Sequence, residues 1–332
     1  MIRVLALCST ADPTGSVKQF DLALPSLRER FDMVRHTLPA DVNKLLHTTK
    51  PDLIHTLGAD AFSAVRPLAL GAVGRGRPFP KWVAAGAAGV EPTLGLAPGL
   101  TATVSQSEHE RDWAARLTPA PMQFSAPVAV SVPLAPRVAS QATRGASGTR
   151  VILAAGGFDV VANLKHVVWA FDTLRYAHPD LRLVLLGACP LRPEVDQFAR
   201  SLELTDSRLR VVGHQADVEP FLTAACQVWC THTRGGTKFL LEAMASGVPV
   251  IAVRTPDTER VIRDGANGRL VPVGQPVEMA RVAHGLLSSP DRARALAVAG
   301  EAEATRYPVA DLADALAGVY HTLTSSDSPR PE

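Results

Sequence analysis

Short apolar runs, each followed by a stretch of helical periodicity, recur along the whole chain. Residues 3–8, 51–58, 80–84, 101–105 and 128–134 read as strands, with helices at 17–31 and 107–117. The order then restarts. Strands at 151–155, 181–187, 209–212, 228–232 and 248–253 alternate with helices at 164–178, 190–202 and 218–225, and helices follow at 277–288, 290–303 and 311–324. Strand-then-helix repetition needs crossovers between parallel strands, so the sheets are covered on both faces. The spacing predicts two Rossmann-like α/β domains, 1–136 and 150–324, facing across a cleft. The small, polar stretch 137–149 joins them, the last helix is able to cross back to the first domain, and 325–332 is a disordered tail. In such sheets ligands bind beyond the carboxyl ends of the strands.

The 332 residues suffice for two domains, and 46% hydrophobic with 20% charged residues describes an ordinary globular protein. A net charge of +2 leaves no electrostatic footprint for nucleic acid. Cys8, Cys189, Cys226 and Cys230 show no metal-ligand spacing. They read as buried thiols of a reducing compartment, with no metal expected. The start reads as a strand rather than a signal peptide, and no run approaches a membrane span. A cytoplasmic protein is expected, with peripheral contact at the inner membrane face left open. Residues 74–82 gather Arg75, Arg77 and Lys81 beside Phe79 and Trp82. They read either as a surface for anionic lipid or an acidic acceptor, or as a solvated loop.

The richest stretch is Arg234-Gly235-Gly236-Thr237-Lys238, which opens an apolar helix containing Leu241 and the single carboxylate Glu242. A glycine-rich turn at a helix start leaves backbone N–H groups free for a phosphate. A carboxylate one to two turns along the same helix suits ribose hydroxyls. The alternatives are an ordinary turn capped by Thr237 and a carboxylate paired with a neighbouring cation.

Beyond single residues, the second half resembles the retaining glycosyltransferases of the GT-B fold, in the large family usually numbered four (glycosyl transferases group 1). The matching pieces run in order: Gly156-Gly157, Lys165, the stretches 179–187 and 211–214, the helix and strand 241–252, and 259–272. The first half matches loosely, at 51–55 and 104–108. The resemblance implies that Glu242 is the second carboxylate of a Glu-x7-Glu motif and binds ribose. The first would fall at 234, where this chain has Arg234. It implies that Lys165 contacts the donor diphosphate. The arginine that the family places after the first glycine is absent, because Gly156-Gly157 lead into Phe158. Arg234 and Lys238 are the nearest replacements for that charge. The N-terminal glycine loop reduces to Gly15 and Ser16.

These readings give Arg234, Lys165 and His55 as the reacting-centre candidates, His55 because it lies near a strand end. Donor contacts are assigned to Glu242, Gly235, Gly236, Thr237, Lys238, Leu241, Gly157, His214, Gly15 and Ser16. Trp169 and Phe171 read as helix residues packed on a sheet. The expected activity is transfer of a sugar from a nucleotide-sugar donor to a glycan, lipid-linked or small-molecule acceptor. Retention at the anomeric carbon is expected, with no cofactor and no metal, since no Asp-x-Asp motif is present. The alternatives are a transferase-like enzyme such as an epimerase, and a degenerate nucleotide-sugar sensor or scaffold of glycan assembly. A dinucleotide oxidoreductase is disfavoured, because no G-x-G-x-x-G follows the first strand.

Overall fold

The computed structural model describes residues 1–10, 16–85, 99–106, 111–112, 114–117, 121–130, 148–155, 161–187, 192–204, 207–213, 215, 217–231 and 236–325, apart from the side chains of Ser16 and 161–164. The chain divides into two compact units, Met1–Ala129 with Tyr307–Glu332, and Val130–Arg306. The expected linker and tail lie almost wholly outside the described residues.

In the first unit six parallel strands run in the order β2-β1-β3-β4-β5-β6. They are β1 Arg3–Cys8, β2 Asp32–Thr37, β3 Leu53–Leu57, β4 Lys81–Ala85, β5 Leu100–Ser105 and β6 Met122–Ser125. The two-residue period of β1 divides its side chains between two cores. Val4, Ala6 and Cys8 face α1 (Ser16–Arg28) and the terminal helix α11 (Val309–Thr324), while Leu5 and Leu7 face α2 (Val42–Thr49) and α3 (Ala59–Val73). The terminal helix reads as amphipathic: Leu312, Leu316, Tyr320 and Leu323 recur at helical spacing and bury against Phe20, Leu27 and Phe31. The α2 helix starts where Asp41 accepts a hydrogen bond from the Lys44 amide at 3.0 Å.

Both strands missed in this unit are edges. Every β2 residue is at least partly exposed and β6 alternates half-buried with exposed positions, so neither carries an apolar run. The strand expected at 128–134 is absent over 128–130, and the remainder lies outside the described residues. There the buried Gln19 amide takes the place of a neighbouring strand. Its Nε2 donates to the Ala129 carbonyl and its Oε1 accepts from the Ala129 amide, both at 2.7 Å. The basic segment also differs from expectation. Trp82 is fully buried, and its Nε1 donates to Thr56 Oγ1 at 3.0 Å, so it offers nothing to a membrane beside the exposed Arg75 and Arg77. Among the described residues no helix is long and apolar enough to cross a membrane.

The second unit has its own parallel sheet, in the order β12-β11-β10-β7-β8-β9. Its strands are β7 Arg150–Ala155, β8 Leu181–Leu186, β9 Leu209–Val212, β10 Ala225–Cys230, β11 Val250–Val253 and β12 Arg269–Val271. The helices are α4 Val161–Ala177, α5 Arg192–Ser201, α6 Glu219–Ala224, α7 Thr237–Ala245, α8 Pro256–Glu259, α9 Pro276–Leu287 and α10 Pro290–Ala304. Phe171, Trp229, Ile251 and Leu286 anchor the core. Phe171 packs as expected, but Trp169 does not: it stands 51% exposed on the outer side of α4.

At the amino end of this sheet a polar chain joins β7, α4 and α9. Arg150 grips Asp180 with two hydrogen bonds, at 2.7 and 2.8 Å, and its Nη2 lies 3.2 Å from His178 Nδ1. Arginine only donates, so His178 accepts at Nδ1, carries its proton on Nε2, and donates to His284 Nδ1 at 3.0 Å. Burial, helped by Arg150 and His284, lowers the His178 pKa. The unfolded chain takes up this proton near pH ~6.5 and the folded chain only at lower pH. Stability is therefore expected to fall as the pH drops below that value. Urea midpoints at pH 7.5 and 5.5 should differ more in the parent than in His178→Gln.

Candidate functional site

The carboxyl ends of β7, β10, β11 and β12 open on one edge of the second sheet. There Thr231, the residue after β10, ties two strand ends together. Its amide donates to the Ala155 carbonyl at 2.9 Å, and its hydroxyl reaches the same oxygen at 3.4 Å. The connection then leads into α7, the helix of the sequence motif. Gly236 caps it in the left-handed region, at φ 83°, where a side chain would be strained. It supplies no side-chain hydrogen bond, so the first amides of α7 are not satisfied by a capping side chain. Thr237 is the first helical residue rather than its cap.

Glu242 lies five residues into α7, on the flank that is half-buried, between the buried Leu241 and Ala243. The apolar setting suggested deeper burial. The nine-residue helix instead buries Leu240, Leu241, Ala243, Met244 and Ala245 and leaves Thr237, Lys238 and Glu242 partly open. The expectation for Leu241 needs correcting too: its side chain is sealed in the core and offers no ligand contact.

A small cleft opens beside these strand ends. Its walls are His166 and Val167 from α4, Thr231, Val253, and the 272–276 connection into α9. Gly274 holds φ 73°, and a Cβ there would stand 3.5 Å from His166 Cε1. The Nδ1 of His166 is buried without a hydrogen-bond partner among the described residues. Sequence reading passed over His166 and Gly274. The only signal was the place of His166 directly after Lys165.

Lys165 is the fifth residue of α4, in its second turn. Its ammonium lies over the Phe198 ring of α5, 5.6 Å from the centroid. His55 is placed quite differently from expectation. It sits in the middle of β3 with no exposure, its Nδ1 2.6 Å from the Tyr320 hydroxyl and Phe20 edge-on at 5.5 Å. Burial pushes its pKa down to about 3. A strand end in sequence is here a strand centre in space, so His55 is a core residue. Arg234, Gly235, His214, Gly157 and Gly15 lie outside the described residues, as does the side chain of Ser16, the first residue of α1. Of the sequence candidates, the structure therefore gathers Gly236, Thr237, Lys238 and Glu242 on one helix, at the carboxyl edge of a parallel sheet.

Comparison with known proteins points the same way. Residues 149–289 match the model for glycosyl transferases group 1. The phosphatidyl-myo-inositol mannosyltransferase of Mycobacterium tuberculosis is 32% identical over 157 residues, which cover 45% of this chain and 40% of that relative. The chain thus spans less than half the length of this curated relative. Among solved structures, Anabaena HepE, determined in complex with UDP and glucose, superposes with a TM-score of 0.72 at 16% identity, over 96% of this chain and 99% of that one. Sucrose-phosphate synthase of Thermosynechococcus elongatus gives 0.70 at 17% identity, over 97% and 99%. At such identities these two likenesses speak for the fold alone. Over residues 149–289 the chain is thus similar to the glycosyl transferases group 1, and it is folded as the GT-B glycosyltransferases are.

Proposed function

We propose that the protein transfers a sugar from a nucleotide-sugar donor to a glycan, lipid-linked or small-molecule acceptor, with retention at the anomeric carbon. The observation that carries this reading is α7. Its glycine-capped amino end faces the ligand-binding edge of the second sheet, and Glu242 stands on its open flank. The donor diphosphate lies against the first amides of α7, and Glu242 accepts hydrogen bonds from the ribose hydroxyls. Negative charge builds on the diphosphate as the sugar–phosphate bond breaks. Arg234 and Lys238, adjacent in sequence to this turn, stabilise that charge without a metal ion. Lys165 joins them by swinging from the Phe198 ring. The mannosyltransferase relative favours an acceptor on a lipid.

The test is turnover of UDP- and GDP-linked α-sugars, followed by proton NMR of the anomeric signal. An α-linked product or α-hemiacetal is expected at first release; a β signal overturns retention. Arg234→Ala is expected to lower turnover at least tenfold, and unchanged turnover with unchanged donor affinity removes the clamp. A second reading rests on the arginine that stands where the family's first carboxylate falls: the protein binds the donor and organises other enzymes of glycan assembly without turning it over. Nucleotide binding without hydrolysis or transfer favours that reading.

A further inference from the structure

On the outer side of α4, Trp169 stands 51% and Tyr176 75% exposed. They lie two helical turns apart on one flank, about 10 Å along the axis. The neighbouring α9 packs against α4 and adds the exposed Val277, and Val273 continues the apolar stripe to the rim of the cleft beside His166. Most charges on this face are paired, and the Lys165 ammonium, one turn before Trp169, is drawn onto the Phe198 ring. Arg175 Nε lies 2.7 Å from Asp172, and Arg281 lies 2.6 Å from Glu278. A face so balanced has little to attract an anionic lipid surface or a polyanion. Tyr176 is also braced. The Arg175 guanidinium stacks 4.9 Å from its ring centroid and donates to its hydroxyl at 3.1 Å and to the Leu202 carbonyl at 2.7 Å. A ring held in this way loses little freedom when a ligand lies on it.

We infer that this face is a platform for a neutral, extended glycan chain. A pyranose ring presents an apolar C–H face and a rim of hydroxyls. Laid on an aromatic ring it removes apolar surface from water while the hydroxyls stay solvated. The separation of Trp169 and Tyr176 is close to the advance of two sugar residues in an extended, equatorially linked chain. One chain therefore meets both rings in the same register. The stripe ends at the cleft of the second sheet, so a glycan on it is led toward or away from that edge. The sugar chemistry of this ligand rests on the transferase reading above; the stacking geometry does not.

The probes are cellohexaose and β-1,4-mannohexaose, titrated against the full chain by calorimetry and tryptophan fluorescence, with maltohexaose as a coiled control. Trp82 and Trp229 are fully buried and Trp113 is replaced by Phe in the optical samples, so the optical change is expected to follow Trp169. The expected result is saturable binding of an extended probe, weakened at least tenfold in both Trp169→Ala and Tyr176→Ala, with nucleotide-induced thermal stabilisation unchanged. Three results overturn the platform: no saturable binding of either extended probe, equal binding by both variants, or a concentration-dependent dimer that Trp169→Ala abolishes while glycans do nothing. Loss of glycan binding with nucleotide stabilisation intact removes the platform alone. Glycan binding without any nucleotide response removes the transferase reading and leaves the platform standing.

Discussion

Tyr320→Ala is expected to lower the unfolding free energy of the first unit by about 3–5 kcal/mol, the cost of deleting a fully buried aromatic side chain. Tyr320 joins the terminal helix to the sheet in two ways. Its ring packs edge-on to Phe31 and His55, and its hydroxyl shares a 2.6 Å hydrogen bond with His55 Nδ1. Tyr320→Phe keeps the ring and removes the bond, and should cost about 1–3 kcal/mol. It leaves His55 with both ring nitrogens unpartnered among the described residues, since Nε2 already has no partner. The same histidine makes this unit acid-sensitive. The folded protein resists protonating it until pH about 3, whereas the unfolded chain takes up the proton near pH ~6.5. Stability is therefore lost as the pH falls through that window, by about 2 kcal/mol at pH ~5. Urea unfolding of parent, Tyr320→Ala, Tyr320→Phe and His55→Phe at pH 7.5 and 5 checks all three statements. The His55→Phe variant should show a much shallower loss.

Asn267→Ala is expected to destabilise the second unit by about 2–4 kcal/mol, because one small side chain holds two backbone groups in a buried turn. Its Nδ2 donates to the Val261 carbonyl at 3.0 Å, and its Oδ1 accepts from the Arg263 amide at 2.8 Å. Neighbouring Asp264 accepts from the Leu270 amide at 3.0 Å and from Arg269 Nε at 2.8 Å, which fixes the entry into β12. That strand leads directly into the 272–276 wall of the cleft. Thermal unfolding should show the loss in Asn267→Ala, while Ala266→Ser, on the exposed side of the same turn, should stay within about 0.5 kcal/mol of the parent.

These two positions show what a sequence does and does not make legible. The stretch 259–272 helped to carry the family resemblance, yet its Asn267 and Asp264 form a turn rather than a ligand site. Periodic order reveals elements whose side chains are buried on a full face, so the central strands and the α7 motif were readable. Edge strands are wet on one side, and β2 and β6 went unseen for that reason. The strand expected at 128–134 failed because a side-chain amide, Gln19, replaced a ladder partner, which no local pattern records. His55 and Trp169 erred in opposite directions. A histidine near an expected strand end proved to be core, and a tryptophan in an apolar helix proved to be exposed. In both cases facing depends on which neighbour covers the residue, and that is a property of the tertiary fold.

The central claim is that α7 forms the nucleotide seat, with Glu242 on the ribose. The most direct test is thermal unfolding of the parent and of Glu242→Ala with UDP, GDP, ADP and their sugar conjugates. Nucleotide at about 100 times its dissociation constant adds about 2.7 kcal/mol, a readily measured rise in melting temperature. The account predicts that nucleotides of one base raise the parent's midpoint and that Glu242→Ala loses most of this rise. No rise with any nucleotide, or an equal rise in parent and variant, would contradict it.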